Sequence, residues 1–214
     1  MIEFYYDPIS PYAWLAACKL DSLQKEFNKT IVVRPVLFAG MLKAHDTKGP
    51  AEVDAKRRYT FRDVMRLASQ FNLPFTGPPN HPFNPLLALR ICTAIENDEQ
   101  RQTLSLKLMQ AAWEQGLDIS SEAVVDQVLI NCDIDLAWAH ETVAQSDTKN
   151  ALKTATQQAV ELGVFGVPTF KVDNELFWGV DRIDSLRHYM RGNSIDESAL
   201  ENVLSREASV LRKS

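Results

Sequence analysis

The chain has 214 residues, 45% hydrophobic and 24% charged, with ten Phe and a formal net charge of −5 at pH 7. This composition belongs to a folded chain with a substantial core, not to the disordered class, and its acidic balance argues against a general nucleic-acid or anionic-membrane surface. No apolar run approaches membrane-spanning length, and Met1-Ile2-Glu3-Phe4 lacks a basic segment ahead of an apolar one, so a cytosolic placement is expected.

The apolar run from Ile2 to Tyr6 reads as a strand, broken by Asp7-Pro8. Ser10-Pro11 then opens a helix that continues through Leu15, Ala16 and Leu20 and fades around Phe27-Asn28-Lys29. Ser10 is its expected N-cap and Pro11 its first helical residue. Thr30 to Phe38 is β-branched and predicts a second strand, parallel to the first because a helix joins them. Ala39 to Ala51 reads as a loop from its Gly, Lys, Asp, Thr and Pro content. Lys56-Arg57-Arg58 is a local basic patch able to bind an anion.

From about Asp54 to Gly163 only helical patterns recur: Lys56 to Phe71, Asn84 to Ile95, Asp98 to Gln115, Ser121 to Asn131, Leu136 to Ser146 and Thr148 to Leu162. Asn72 to Phe83 is a proline-rich connection that cannot be helical. Strand signals return at Val167 to Val172, turn at Asp173-Asn174 and continue through Glu175 to Trp178, an antiparallel hairpin. A helix from Asp181 or Arg182 to about Met190 and a last amphipathic helix from Ile195 to Leu211 complete the chain. The order predicts an α/β fold: a discontinuous thioredoxin-like domain, residues 1–53 and 164–214, with an all-helical insertion domain over 54–163.

Cys18, Cys92 and Cys132 are far apart, odd in number and set in apolar helical patterns, which reads as buried reduced thiols. His45, His81, His140 and His188 are scattered without metal-ligand spacing, so no metal is expected. Pro168 opens a strand, where a missing N–H is tolerable; a cis Val167-Pro168 bond would turn the Val167 backbone toward the carboxyl end of the sheet, free to pair with an extended peptide.

Phe4-Tyr5-Tyr6-Asp7-Pro8-Ile9-Ser10-Pro11-Tyr12, Phe165-Gly166-Val167-Pro168-Thr169 and Trp178-Gly179-Val180-Asp181-Arg182, taken in order, resemble the 2-hydroxychromene-2-carboxylate isomerases and their relatives, the kappa-class glutathione transferases. The resemblance spans nearly the whole chain. The wider superfamily includes disulfide oxidoreductases of the DsbA kind, with Cys-Pro-x-Cys at this turn. Here it is Ser10-Pro11-Tyr12-Ala13, and without a cysteine that turn cannot exchange disulfides.

The resemblance implies glutathione as the cofactor, with Ser10 donating to its sulfur, Val167 and Pro168 meeting its cysteinyl backbone, Asp181 receiving its ammonium beside Arg182, Lys56 near its glycyl carboxylate, and Thr47 at a further glutathione contact. Thr47 stands where kappa-class enzymes carry Asn. Tyr12, Trp14, Tyr59, His81, Phe83 and Asn84 are candidates for the substrate side of the pocket. The function implied is a glutathione-dependent isomerase acting on a small aromatic or chromene-type acid in aromatic-compound catabolism, with a homodimer as the common assembly of the relatives. The alternatives are a kappa-type transferase or peroxidase, and a non-catalytic peptide-binding or chaperone member.

Overall fold

The computed structural model describes residues 1–206. The chain opens with β1 (Ile2–Tyr6), α1 (Pro11–Ala17), α2 (Leu20–Phe27), β2 (Ile31–Pro35) and α3 (Phe38–Ala44), then a single helical turn at Pro50–Glu52. The inserted helices follow as α4 (Asp54–Gln70), α5 (Leu86–Ala94), α6 (Asp98–Trp113), α7 (Glu122–Ile130), α8 (Leu136–Ala144) and α9 (Ser146–Glu161). Then come β3 (Thr169–Val172), β4 (Glu175–Trp178), a helical turn at Val180–Arg182, α10 (Ile183–Met190) and α11 (Glu197–Leu204). Residues 207–211 of the expected last helix lie outside the described residues.

The sheet has the order β2-β1-β3-β4. β1 and β2 are parallel, with Ile2 opposite Ile31; β1 and β3 are antiparallel, with Phe4 opposite Phe170; β3 and β4 form the expected hairpin. The result is a thioredoxin-like α/β fold covered on both faces. Ile2, Phe4 and Tyr6 enter a core shared with Trp14, Leu108, Trp113 and Phe170, while Tyr5 packs on the opposite face with Val36, Met41, Ala159, Val164 and Val167. α6 and α9 therefore contribute to the two cores the strands depend on, and Tyr6 hydrogen-bonds Ser105 of α6.

Two local expectations are corrected. The first helix is two helices, broken at Cys18-Lys19. α1 is buried on nearly all sides, whereas α2 buries only Leu20 and Leu23, so the break lies where the chain leaves the core for the surface. The segment expected as a loop from Ala39 contains α3. Gly40 is there for close approach, since a Cβ at that position would lie 3.1 Å from Thr156 Cγ2 of α9, and Thr156 Oγ1 accepts the Leu37 N–H at 2.9 Å.

One histidine is less isolated than its spacing in the sequence implies. His140 on α8 places Nε2 2.7 Å from Asp126 on α7, and Nδ1 lies 3.9 Å from Glu122. The hydrogen bond to Asp126 raises its pKa, and the pair ties α7 to α8.

Phe4 and Phe170 meet at the centre of the sheet with their rings tilted by 44° and their centroids 4.9 Å apart, both fully buried. Phe4→Ala is expected to lower the unfolding free energy by about 3–5 kcal/mol, the range for truncating a buried Phe. Urea denaturation checks this, and a loss below about 1 kcal/mol would contradict a tightly packed layer at this position.

Candidate functional site

Ser10 caps α1 as expected: its backbone is extended and its Oγ accepts the Ala13 N–H at 3.3 Å. The same hydroxyl donates to the Val167 carbonyl at 3.3 Å. Val167-Pro168 is a cis peptide bond. The Val167 N–H meets no acceptor among the described residues, so a free donor stands beside the serine hydroxyl where β1 ends and β3 begins.

The turn that delivers Ser10 is held by groups from four parts of the chain. Asp7 is wholly buried; its carboxylate accepts the Ile9 N–H at 3.0 Å and the Phe38 N–H at 2.9 Å, so it shapes the turn and satisfies the first amide of α3. The Ser10 N–H closes the turn on the Asp7 carbonyl at 3.0 Å. Trp113 donates its indole N–H to the Pro8 carbonyl at 2.9 Å, and His81 Nε2 lies 3.1 Å from the Ile9 carbonyl. His81 sits among Phe61, Phe83 and Trp113, and burial lowers its pKa, so the ring is neutral and donates through Nε2. From sequence, Asp7 reads only as the break after β1, although an acid ahead of Pro-x-Ser is also an Asx-turn pattern. Nothing in the sequence marks Trp113.

The other candidates fall into two groups. The Val180–Arg182 turn and α4 both pack against α1, and the Pro50–Glu52 turn packs on α4. Asp181 and Arg182 are exposed and paired to each other at 3.3 Å, Lys56 and Tyr59 are exposed on α4, and the Thr47 N–H closes the end of α3 on the Leu42 carbonyl. Tyr12 joins α1 to α4 through its hydroxyl, which donates to Asp63 at 2.9 Å; burial, then Asp63, raises its pKa. Trp14 and Phe83 are core residues. His81 meets the Ile9 carbonyl with its ring, and Asn84 accepts the Leu86 N–H at the start of α5.

Beside Val167 an aromatic pair faces solvent. Phe165 and Trp178 meet edge to face at 4.9 Å, Trp178 is 52% exposed, and its indole so closely covers Gly166 that a Cβ there would lie 2.6 Å from Nε1. The chain's thiols take no part. Burial, then the nearby Glu114 charge, pushes Cys18 up to about 12, and burial likewise raises Cys92 and Cys132, so all three stay protonated near neutral pH.

A thioredoxin-like sheet whose serine-capped helix faces a cis-proline loop defines a thioredoxin-fold protein with no thiol of its own at that turn. The DSBA-like thioredoxin domain family matches residues 1–191, and the chain belongs to it. It is similar to a 2-hydroxychromene-2-carboxylate isomerase of Sphingobium xenophagum, 28% identical over 193 residues that cover 88% of this chain and 97% of the relative. It is likewise similar to human glutathione S-transferase kappa 1, 28% identical over 203 residues covering 88% and 90%. Among solved structures, a 2-hydroxychromene-2-carboxylate isomerase superposes with a TM-score of 0.83 at 22% identity, covering 96% of this chain and 99% of that one, which shows the shared fold. Among the described residues no helix is long and apolar enough to cross a membrane.

Burial raises the Asp7 pKa from 3.8 to about 7, against the opposing pull of the Ile9 and Phe38 amides. The folded chain therefore keeps a proton that the unfolded chain releases near pH 4, and ionising Asp7 costs stability as the pH rises from about 4 to about 7. Asp7→Asn removes this titration. The stability difference between variant and wild type, from urea midpoints, is expected to shift in the variant's favour across that window; a difference constant with pH would refute the assignment.

Proposed function

We propose that the chain is a glutathione-dependent enzyme of the isomerase type, acting on a small unsaturated, aromatic-derived acid. The observation that carries the reading is the pairing of the Ser10 hydroxyl with the backbone of Val167, whose N–H lacks an acceptor. These residues fit a thiol tripeptide: a strand-like backbone would take the free Val167 N–H, and its sulfur would come to the Ser10 hydroxyl. The 3.3 Å contact between Ser10 and Val167 is long enough to be given up for a charged acceptor, which binds a hydroxyl more strongly than a carbonyl does. The names of the relatives, isomerase and glutathione S-transferase kappa, agree with this chemistry.

When bound, glutathione supplies the thiolate that adds reversibly to an unsaturated carbon of the acid, allows rotation about the bond made single, and leaves unchanged. The chain's own residues hold and orient. Ser10 donates to the anionic sulfur and lowers its proton affinity. Val167 and Pro168 would align the cysteinyl unit, Asp181 would receive the ammonium with Arg182 beside it, Lys56 would serve the glycyl end, and Thr47 would add a further contact. Tyr12 and Tyr59 border the side from which the second substrate enters. Transferase or peroxidase activity of the kappa kind shares these residues and differs in the electrophile accepted.

Ser10→Ala is expected to lower kcat/KM roughly ten- to hundredfold, since a hydrogen bond to a charged group is worth about 1.5–3 kcal/mol, while Ser10→Thr, which keeps the hydroxyl, retains more activity. Full activity in the alanine variant would overturn the role given to Ser10. Independently, glutathione at 100 times its dissociation constant should stabilise the fold by about 2.7 kcal/mol. Thermal melts unchanged by millimolar glutathione would favour the peptide-binding alternative.

A further inference from the structure

The carbonyls of the cis-proline loop are all occupied. Thr169 Oγ1 donates to that of Gly166 at 2.7 Å, the Ser10 hydroxyl to that of Val167 at 3.3 Å, and the Gly179 N–H to that of Pro168 at 2.9 Å. What the loop has left over is donors: the N–H groups of Gly166 and Val167 meet no acceptor among the described residues, although both residues are buried. Buried amides in that state cost stability, so the loop has to be held in place by contacts other than its own.

Trp178 supplies the hold. It stands opposite Thr169 in the β3–β4 pairing, and the next residue, Gly179, gives the N–H that Pro168 accepts. Its indole lies on Gly166 so closely that a Cβ there would be 2.6 Å from Nε1 and 3.2 Å from Cε2, and the ring meets Phe165 edge to face. Only a carbonyl carbon separates the Gly166 Cα from the Val167 nitrogen, so the indole packs on the peptide that carries the free donor. On the other side, Gly179 has a φ of +108°, which a side chain would strain, and the Asp181 carboxylate lies directly against it. Trp178-Gly179 therefore touches both the Val167 loop and Asp181.

We infer that Trp178 is a positioning residue: its indole fixes the Gly166–Val167 peptide and, through Gly179, sets the spacing between the Val167 amide and the Asp181 carboxylate. Its use as a ligand register rests on the placement of glutathione proposed above, in which these two groups meet the cysteinyl and γ-glutamyl units. Trp178 acts through the loop and not on the reacting atoms. By covering the peptide it also limits the access of water to the amide, and a donor with less water to compete for it gives more to a ligand carbonyl. Gly166 belongs to the same device, because a side chain there would push the indole away.

The test follows amide hydrogen exchange by NMR and thiol binding by calorimetry in wild type, Trp178→Ala, Trp178→Phe and Gly166→Ala. Without any thiol, Trp178→Ala is expected to speed exchange of the Val167 amide at least about tenfold, the scale of one hydrogen bond, and to leave the Phe4 amide of β1 unchanged. Gly166→Ala, which displaces the indole from the loop side, should do the same. Wild type is expected to bind glutathione at least about tenfold more tightly than cysteinylglycine, which lacks the unit that reaches Asp181. That preference should shrink in Trp178→Ala and largely return in Trp178→Phe, which keeps a ring over Gly166. Val167 exchange or a thiol preference that is unchanged in the folded variants, alanine at 178 or at 166, overturns the inference. If wild type binds neither thiol while Val167 exchange still depends on Trp178, the positioning of the amide stands and the glutathione reading falls.

Discussion

The structure depends on a short buried turn, Asp7 to Ser10, whose polar groups are satisfied by partners distant in sequence. A buried amide or carbonyl without a partner costs about 1–3 kcal/mol, so this turn can exist only where α3, α6 and the connection ahead of α5 are all in place. The Asp7 carboxylate meets the first amide of α3, the Trp113 indole meets Pro8, and the His81 ring meets Ile9. The insertion therefore does more than cover the sheet; one side chain of α6 and one of the proline-rich connection define the path of the backbone into Ser10. Because Trp113 and His81 pack on each other at 5.5 Å, they brace the turn as one unit.

What the chain lacks at this turn is as informative as what it has. Thiolate chemistry needs a sulfur with a lowered pKa in a polar setting, and the three cysteines sit in surroundings that raise theirs. A hydroxyl with an adjacent free amide suits a sulfur brought from outside.

Local chemistry made much of this visible in the sequence. The strand before Asp7-Pro8, the Ser-Pro helix start, the parallel second strand and the hairpin around Asp173-Asn174 all follow from near-neighbour signals, and each is found. The Ser10 cap and the cis Val167-Pro168 bond were legible for the same reason. The misses are non-local. Gly40 looks like a loop former until Thr156 is known to press against it, and Cys18-Lys19 carries no breaker residue to announce the end of α1. His81 and Asn84 stand in one proline-rich segment, yet one turns inward to a carbonyl and the other caps a helix; their neighbours in space decide this, and periodicity says nothing about it.

The exposed indole of Trp178 gives the molecule an optical property. Trp14 and Trp113 are sealed in the core, whereas Trp178 lies half in water against Gly166, one residue from the free amide of Val167. Its emission joins that of the partly exposed Trp138 on α8 in the long-wavelength, quencher-accessible part of the tryptophan spectrum, and the buried pair supplies an internal standard from the same chain. Trp178 lies against Gly166 while Trp138 stands on α8, so replacing Trp138 leaves the exposed part of the emission to the indole beside Val167.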